Sequence, residues 1–134
     1  MSTRAVIEAF WKAHLAGDHE ALKHVISKDI RWTVVGRSCP IAKTYEGWEG
    51  FLGELLGGLA EGFVAGTLKM ELRGLYVDET QGIGVLHLFE TATAKPTGFV
   101  VESEIVDVIT VRDGKIVEVR EVMDLTEPIK AFGF

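Results

Sequence analysis

The chain has 134 residues, of which 47% are hydrophobic and 25% are charged. That length suffices for one domain with a core of its own, and the composition is ordinary for a globular protein. With 14 Lys and Arg against 20 Asp and Glu, the formal net charge is −6. Nucleic acid and anionic membrane both require a basic face, so the charge argues against either as a partner.

Cys39 is the only cysteine, so the fold cannot depend on an internal disulfide or on an oxidising compartment. The residues after Met1 enter a charged amphipathic pattern, which is not that of a signal peptide. The apolar stretch 55–60 is far too short to span a bilayer. We therefore expect a cytoplasmic protein that forms one domain over residues 1–134.

Helices are predicted at the beginning of the chain. Apolar residues recur at helical spacing over 4–15, and Gly17 with Asp18 ends this helix. Asp18 can also cap a second helix, predicted over 19–26.

A short strand over 29–35 and a loop over 37–44 come next, followed by a third helix predicted over 46–63. Five glycines weaken this third helix by about 1 kcal/mol each relative to alanine. They are Gly50, Gly53, Gly57, Gly58 and Gly62. Either close packing against a sheet or room for a ligand beside the helix would explain them.

The second half of the chain predicts strands, with apolar and polar residues alternating over 68–77, 84–94, 99–112 and 115–124. Asp113-Gly114 is a strong two-residue hairpin signal. Pro128 is expected to end regular structure before an apolar tail, 129–134. Because the predicted helices come first in the chain and the strands second, the sequence predicts an α+β fold. In this fold a curved, mixed and mostly antiparallel sheet wraps around the N-terminal helices.

The outer face of this sheet is predicted to be apolar, since Val85, Phe89, Val106 and Val108 alternate with the inward residues. A solvated sheet face should be more polar. The simplest use of such a face is a symmetric homodimer.

Strand alternation directs Glu90, Ser103, Asp107 and Glu121 toward the concave face, where His14 reaches in from the first helix. Burial and mutual repulsion raise the pKa values of carboxyls, so one apolar site can hold acids and bases at neutral pH. That combination is what general acid–base catalysis requires. His14 could be the balancing cation or a second proton carrier.

Each of these residues also has a structural interpretation. Glu90 could reach solvent at a strand end, and Asp107 could make a structural hydrogen bond. Glu121 could form a surface ion pair with Arg120, and His14 could simply be stabilised by the dipole of its helix.

The predicted walls of the pocket are apolar, as a binding site for a small apolar molecule should be. We assign to them Phe10, Trp11, Trp32, Leu55, Leu59, Leu88, Ser103, Ile105 and Met123. The four histidines lack metal-ligand spacing, and Gly82-Ile83-Gly84 is too short for a dinucleotide loop. We therefore expect neither a metal nor a cofactor.

Four stretches resemble the ketosteroid isomerase-like, or SnoaL-like, superfamily. They are Ala16-Gly17-Asp18, Asp29-Ile30-Arg31-Trp32, Tyr45-Glu46-Gly47 and the segment 106–124. The resemblance implies the cone-shaped fold of the nuclear transport factor 2-like type. It implies the reaction only loosely, because this superfamily includes steroid isomerases, epoxide hydrolases, dehydratases and polyketide cyclases.

In the steroid isomerases the active site consists of a tyrosine, an aspartate that acts as the base and an aspartate that is protonated. These positions fall on Phe10, Val34 and Asp107 of this sequence, so only Asp107 matches the family pattern. This argues against steroid isomerisation by that mechanism.

The C-terminal half resembles the limonene epoxide hydrolases more closely. Their two aspartates fall on Glu90 and Glu121, while the arginine between them falls on Leu88. Their tyrosine and asparagine, which help to hold a water, fall on Trp32 and Val34. Both carboxyl groups are therefore present as glutamate instead of aspartate, but the arginine that balances their charge is missing.

The sequence therefore favours a cofactor-independent enzyme that uses general acid–base chemistry on an apolar substrate, of the epoxide hydrolase, isomerase or cyclase type. The alternative is a dimeric module of the same fold that binds a ligand without turnover. An enzyme should bring its carboxyls together inside a buried pocket, whereas a binder should leave them at the rim or in ion pairs.

Overall fold

The computed structural model describes residues 1–134 and has an α+β architecture built on one six-stranded sheet. Its helices are α1 (Thr3–Ala16), α2 (His19–Val25), a π-helix (Glu49–Leu56) that continues into α3 (Gly57–Gly62), and α4 (Thr126–Phe132). Its strands are β1 (Ile26–Val34), β2 (Thr44–Glu46), β3 (Lys69–Asp78), β4 (Ile83–Thr93), β5 (Val100–Arg112) and β6 (Lys115–Met123). None of the helices has the length and hydropathy that a bilayer crossing needs.

The sheet is mixed but mostly antiparallel, in the order β2-β1-β6-β5-β4-β3. Only β1 and β6 run parallel. Strands β3 to β6 follow one another as a meander, as the turn signals predict. The expected α+β class and mixed sheet are therefore confirmed.

Local chemistry sets the bounds of the first two helices. The Ser2 side chain caps α1, and Gly17 ends it in the left-handed conformation at φ 64°. The Asp18 side chain then caps α2 by accepting a hydrogen bond from the Ala21 amide. The apolar face of α1 packs into the concave side of the sheet, where Val6, Ile7 and Phe10 are buried.

Three predicted boundaries differ from the structure. The second helix ends at Val25, because β-branched Ile26 already belongs to β1 and pairs with Ile116 of β6. The segment predicted to begin a helix at Glu46 instead ends strand β2, which pairs with β1 through Tyr45 and Trp32. The helix itself starts only at Glu49.

The third difference is the C-terminal tail, where Pro128 does not end regular structure but lies in the first turn of α4. A proline is tolerated there because its missing N–H has no partner within the helix in any case. The helix packs on β5, with Ala131 completely buried and Thr97 donating a hydrogen bond to its carbonyl oxygen at 2.7 Å.

The glycines of the third helix have more than one role. A Cβ at Gly50 would lie 3.0 Å from the Tyr45 carbonyl carbon, and one at Gly62 would lie 2.7 Å from the Phe132 ring. These two glycines allow close packing. At Gly53 a Cβ would meet nothing within 4 Å.

We predict opposite effects for two glycine-to-alanine substitutions in the π-helix. Gly50→Ala should lower the free energy of unfolding by about 1–3 kcal/mol, since the new methyl presses on backbone that cannot rotate away. Gly53→Ala should leave it unchanged or raise it by up to about 1 kcal/mol, since alanine has the higher helix propensity and its methyl is unobstructed. Urea unfolding of both variants measures the difference, and equal destabilisation would contradict the close packing at Gly50.

Candidate functional site

The concave face of the sheet and the helices that cover it enclose a front cavity of about 200 Å³. Helix α1 forms one wall, the π-helix and α3 form another, and strands β3 to β6 form the floor. Its apolar lining includes Phe10, Trp11, Leu22, Trp32, Phe51, Leu55, Leu56, Leu59, Leu68, Met70, Leu86, Leu88 and Ile105.

A smaller rear cavity of about 50 Å³ adjoins the front cavity on the side of α4. The two cavities share Leu55, Leu59, Glu90, Ile105 and Glu121. The two glutamates therefore lie where the front and rear spaces meet.

Neighbouring strands bring the three predicted carboxyls to one face. Asp107 on β5 lies directly opposite Glu121 on β6, and Glu90 on β4 lies opposite Ser103 on β5. Asp107 is buried, with 3% of its surface exposed. Glu90 and Glu121 are half-buried and line both cavities, so the surface they retain opens onto the cavities.

Burial dominates the electrostatics of this carboxyl cluster. It raises the pKa of Asp107 well above the usual value, and the charge of Glu121 raises that pKa further. It also raises the pKa of Glu90 from 4.5 to about 7, again with a contribution from Glu121. The neutral form of Asp107 is therefore favoured, and Glu90 is close to the midpoint of its titration at neutral pH.

Glu121 behaves differently because polar neighbours favour its charged form. Burial raises its pKa, but the Asp107 and Trp32 side chains act in the opposite direction. Trp32 Nε1 approaches the Glu121 carboxyl without reaching hydrogen-bond geometry, so it has no partner within the protein. Burial still outweighs these two neighbours, so the pKa of Glu121 remains above its usual value.

Two buried polar atoms at this site lack partners, Trp32 Nε1 and Asp107 Oδ1. Buried polar groups are nearly always satisfied, and exceptions often mark places where a ligand completes the contacts. Both residues line the front cavity.

His14 lines the front cavity from the last turn of α1, with its ring stacked on Phe10 at a centroid distance of 5.5 Å. Burial, with a smaller contribution from nearby His19, lowers the pKa of His14 from 6.5 to about 4. The imidazole is therefore neutral at neutral pH. The interpretation of His14 as the balancing cation is wrong, while a role in carrying a proton stays a prediction.

The structure brings every predicted site residue to one of the two cavities. Phe10, Trp11, Trp32 and Leu88 line the front cavity, Ser103 and Met123 line the rear one, and Leu55, Leu59 and Ile105 line both. The interpretation of Glu121 as a partner in a surface ion pair is wrong, because Glu121 faces the cavity and forms no salt bridge.

Sequence reasoning missed part of the lining. Phe51 and Leu56 belong to the same apolar stripe as Leu55, so the spacing of that stripe could have identified them. Met70 and Leu86 lie on inward strand positions, so strand alternation could have identified them as lining residues. Phe132 of the rear cavity gave no signal, because the tail was not expected to be helical.

Comparison with protein families matches residues 4–119 to the SnoaL-like domain. None of the curated proteins is detectably similar to this chain.

Solved structures show the same fold over nearly the whole chain. An NTF2-like protein from Burkholderia thailandensis is 21% identical, with a TM-score of 0.86 over 98% of this chain and 97% of that one. A protein of unknown function with a cystatin-like fold from Xanthomonas campestris is 25% identical, with a TM-score of 0.76 over 100% of both chains. A candidate SnoaL-like polyketide cyclase from Jannaschia sp. CCS1 is 18% identical, with a TM-score of 0.78 over 96% of this chain and 90% of that one.

We predict that Glu90 makes stability depend on pH. Its carboxyl binds a proton more tightly in the folded protein, with a pKa of about 7, than in the unfolded chain. The stabilisation is therefore complete in acid and is lost as the pH rises through about 7. Between about pH 5 and about pH 8, the free energy of unfolding should fall less in Glu90→Gln than in the unchanged protein.

Chemical denaturation across that pH range measures the slopes. Glu102→Gln is the matched control, since Glu102 lies on β5 but is exposed. Identical slopes for Glu90→Gln and the unchanged protein would show that Glu90 titrates as it does in the unfolded chain.

Proposed function

We propose that this chain, which belongs to the SnoaL-like domain family, is a cofactor-independent enzyme that moves protons on a small apolar molecule. One observation carries the proposal: three carboxyls line a single apolar cavity, and their environments shift their pKa values to different degrees. Pairs of titratable groups whose pKa values are pushed apart are the usual basis for dividing acid and base roles.

The roles follow from the protonation states. Glu90 titrates near neutral pH and the neighbours of Glu121 favour its charged form, so these two groups accept a proton from the substrate or from a water. Burial raises the pKa of Asp107 well above its usual value, so its neutral form can donate to an oxygen on which charge develops. Trp32 Nε1 is a second donor without a partner beside the same space.

This arrangement supports proton transfer at carbon, as in an isomerase or cyclase, more than hydrolysis. A hydrolase must hold a water against the base, and Val34, which lies opposite Glu121 across β1 and β6, offers no polar group for this. The candidate polyketide cyclase from Jannaschia has a similar fold, which is compatible with the same choice.

A non-catalytic module that binds a ligand is the alternative. The absence of Lys and Arg from the lining of both cavities favours it, because no cation is present to assist chemistry. The position of the carboxyls favours the enzyme, because a pure binder has no need to keep three of them inside the cavity and out of ion pairs.

The enzyme proposal predicts a large loss of turnover in Glu90→Gln. A positioned general base contributes roughly 10²–10⁴-fold, so kcat should fall by about that factor on a substrate found in a panel of enones and epoxides. Affinity for these neutral compounds should change little, because the amide keeps the shape of the side chain.

Glu102→Gln serves as the matched control and should keep full activity. Turnover that is unchanged in Glu90→Gln would remove Glu90 from the mechanism. Binding of panel compounds without any turnover would favour the non-catalytic module.

We also propose that the chain forms a homodimer through the outer face of its sheet. On this face Tyr76, Val108 and Val122 expose 63%, 37% and 49% of their surfaces, and Phe89 and Val106 are half-buried between them. These apolar side chains lie on adjacent strands beside the His87–Glu104 pair and Arg120, and they support a self-complementary contact between two copies.

A charge placed in the centre of this face should separate the copies. Val108→Lys is predicted to shift the sedimentation coefficient from dimer to monomer, because the contact would have to bury two unpaired ammonium groups near its symmetry axis. Val64→Lys is the control, since Val64 is also exposed but lies outside the sheet. A monomeric unchanged protein would refute the proposal.

A further inference from the structure

The two cavities contain acidic groups without any basic counterpart. Their titratable lining residues are Glu90, Asp107 and Glu121, with His14 and His19 at the α1 side of the front cavity, and no Lys or Arg joins them. His14 is neutral at neutral pH. Whenever Glu121 or Glu90 ionises, the cavity therefore holds negative charge that the protein does not balance.

Asp107 provides an independent indication that a ligand completes this site. Its side chain is 97% buried, since only 3% of its surface is exposed, and it lines the front cavity. Its Oδ1 atom has no hydrogen-bond partner within the protein. A positive charge on a bound molecule would stabilise this unpaired oxygen.

The front cavity has an aromatic wall beside the carboxyls. Trp32 stacks on Phe51 at a centroid distance of 4.3 Å, and Phe10 lies against Trp32 at 6.0 Å, so these three rings are buried against one another. Trp11 and His14 are half-buried on α1, and they are the rings of this wall that offer surface to a ligand. Aromatic faces attract cations, and aromatic walls combined with carboxylates are a recurring way to bind ammonium groups.

We propose that the molecule bound in the front cavity carries a positively charged nitrogen, as an apolar amine or ammonium whose cation lies between the aromatic wall and the carboxyls. This inference deepens the proposed function, because it names the substrate class of the same cavity. A metal ion is not an equivalent occupant, since no three His, Cys, Asp or Glu side chains of the chain are arranged as metal ligands.

The cation should be recognised through its charge rather than through its shape. Phenyltrimethylammonium and its neutral carbon isostere, tert-butylbenzene, differ only in that charge and test this by calorimetric titration of the full chain. The ammonium compound should bind at least about tenfold more tightly. Equal affinities, or tighter binding of the isostere, would overturn the inference.

Protonation provides a second readout. A bound cation favours the ionised carboxyls, so its binding should release protons, and the measured enthalpy should then change with the ionisation enthalpy of the buffer. Its affinity should also rise with pH through about 7, where Glu90 loses its proton. A proton release of zero would contradict contact with the carboxyls.

Two variants locate the contact. Glu121→Gln should weaken binding of the ammonium compound by about tenfold or more and leave binding of the isostere unchanged, whereas the exposed control Glu102→Gln should affect neither. Far-ultraviolet circular dichroism checks that each variant is folded. If Glu121→Gln does not fold, Glu90→Gln removes a carboxyl from the same cavity and tests the same contact. Equal weakening of both ligands would assign Glu121 to the shape of the cavity alone.

The ammonium probe has no reactive proton, so its binding does not depend on turnover. A protein that converts neutral panel substrates but does not distinguish the two probes would refute the cationic substrate while leaving the enzyme proposal intact. A protein that binds the ammonium compound selectively but converts no substrate would support the cationic ligand and refute the enzyme proposal.

Discussion

A one-residue irregularity between β5 and β6 determines which charge faces Asp107. Next to the hairpin turn, Arg112 pairs with Lys115 and Val111 with Ile116, and this register continued inward would place Arg120 opposite Asp107. The shift between Thr110 and Val111 places Glu121 there instead. Because adjacent residues of a strand point to opposite faces, the same shift directs Arg120 to the outside.

This local change sets the chemistry of the whole cavity. An arginine opposite Asp107 would form a buried ion pair, which holds a carboxyl ionised and leaves no shared proton. A glutamate in its place creates two interacting acids in an apolar space, where burial and then the charge of Glu121 raise the pKa of Asp107. The lack of a balancing cation opposite Asp107 and the raised pKa of this residue both depend on this register.

The sequence was most informative where its pattern has period two. Alternation alone placed Glu90, Asp107 and Glu121 on the inward face, because burial of one face imposes the pattern on every strand. It could not reveal the bulge, since the Asp113-Gly114 turn by itself predicts the unshifted register. The sequence also could not predict α4, because a proline is compatible both with the end of a helix and with its first turn. Packing against β5 decides between these two possibilities.

The fold constrains the reaction less than these residues do. Relatives near 20% identity share the backbone, and a shared backbone provides a cone-shaped cavity without specifying what lines it. In this chain the carboxyls that line the cavity all come from β4, β5 and β6. The lining of the cavity holds carboxyls without a Lys or Arg, and the proposed cationic substrate would supply the positive charge that the protein does not place there.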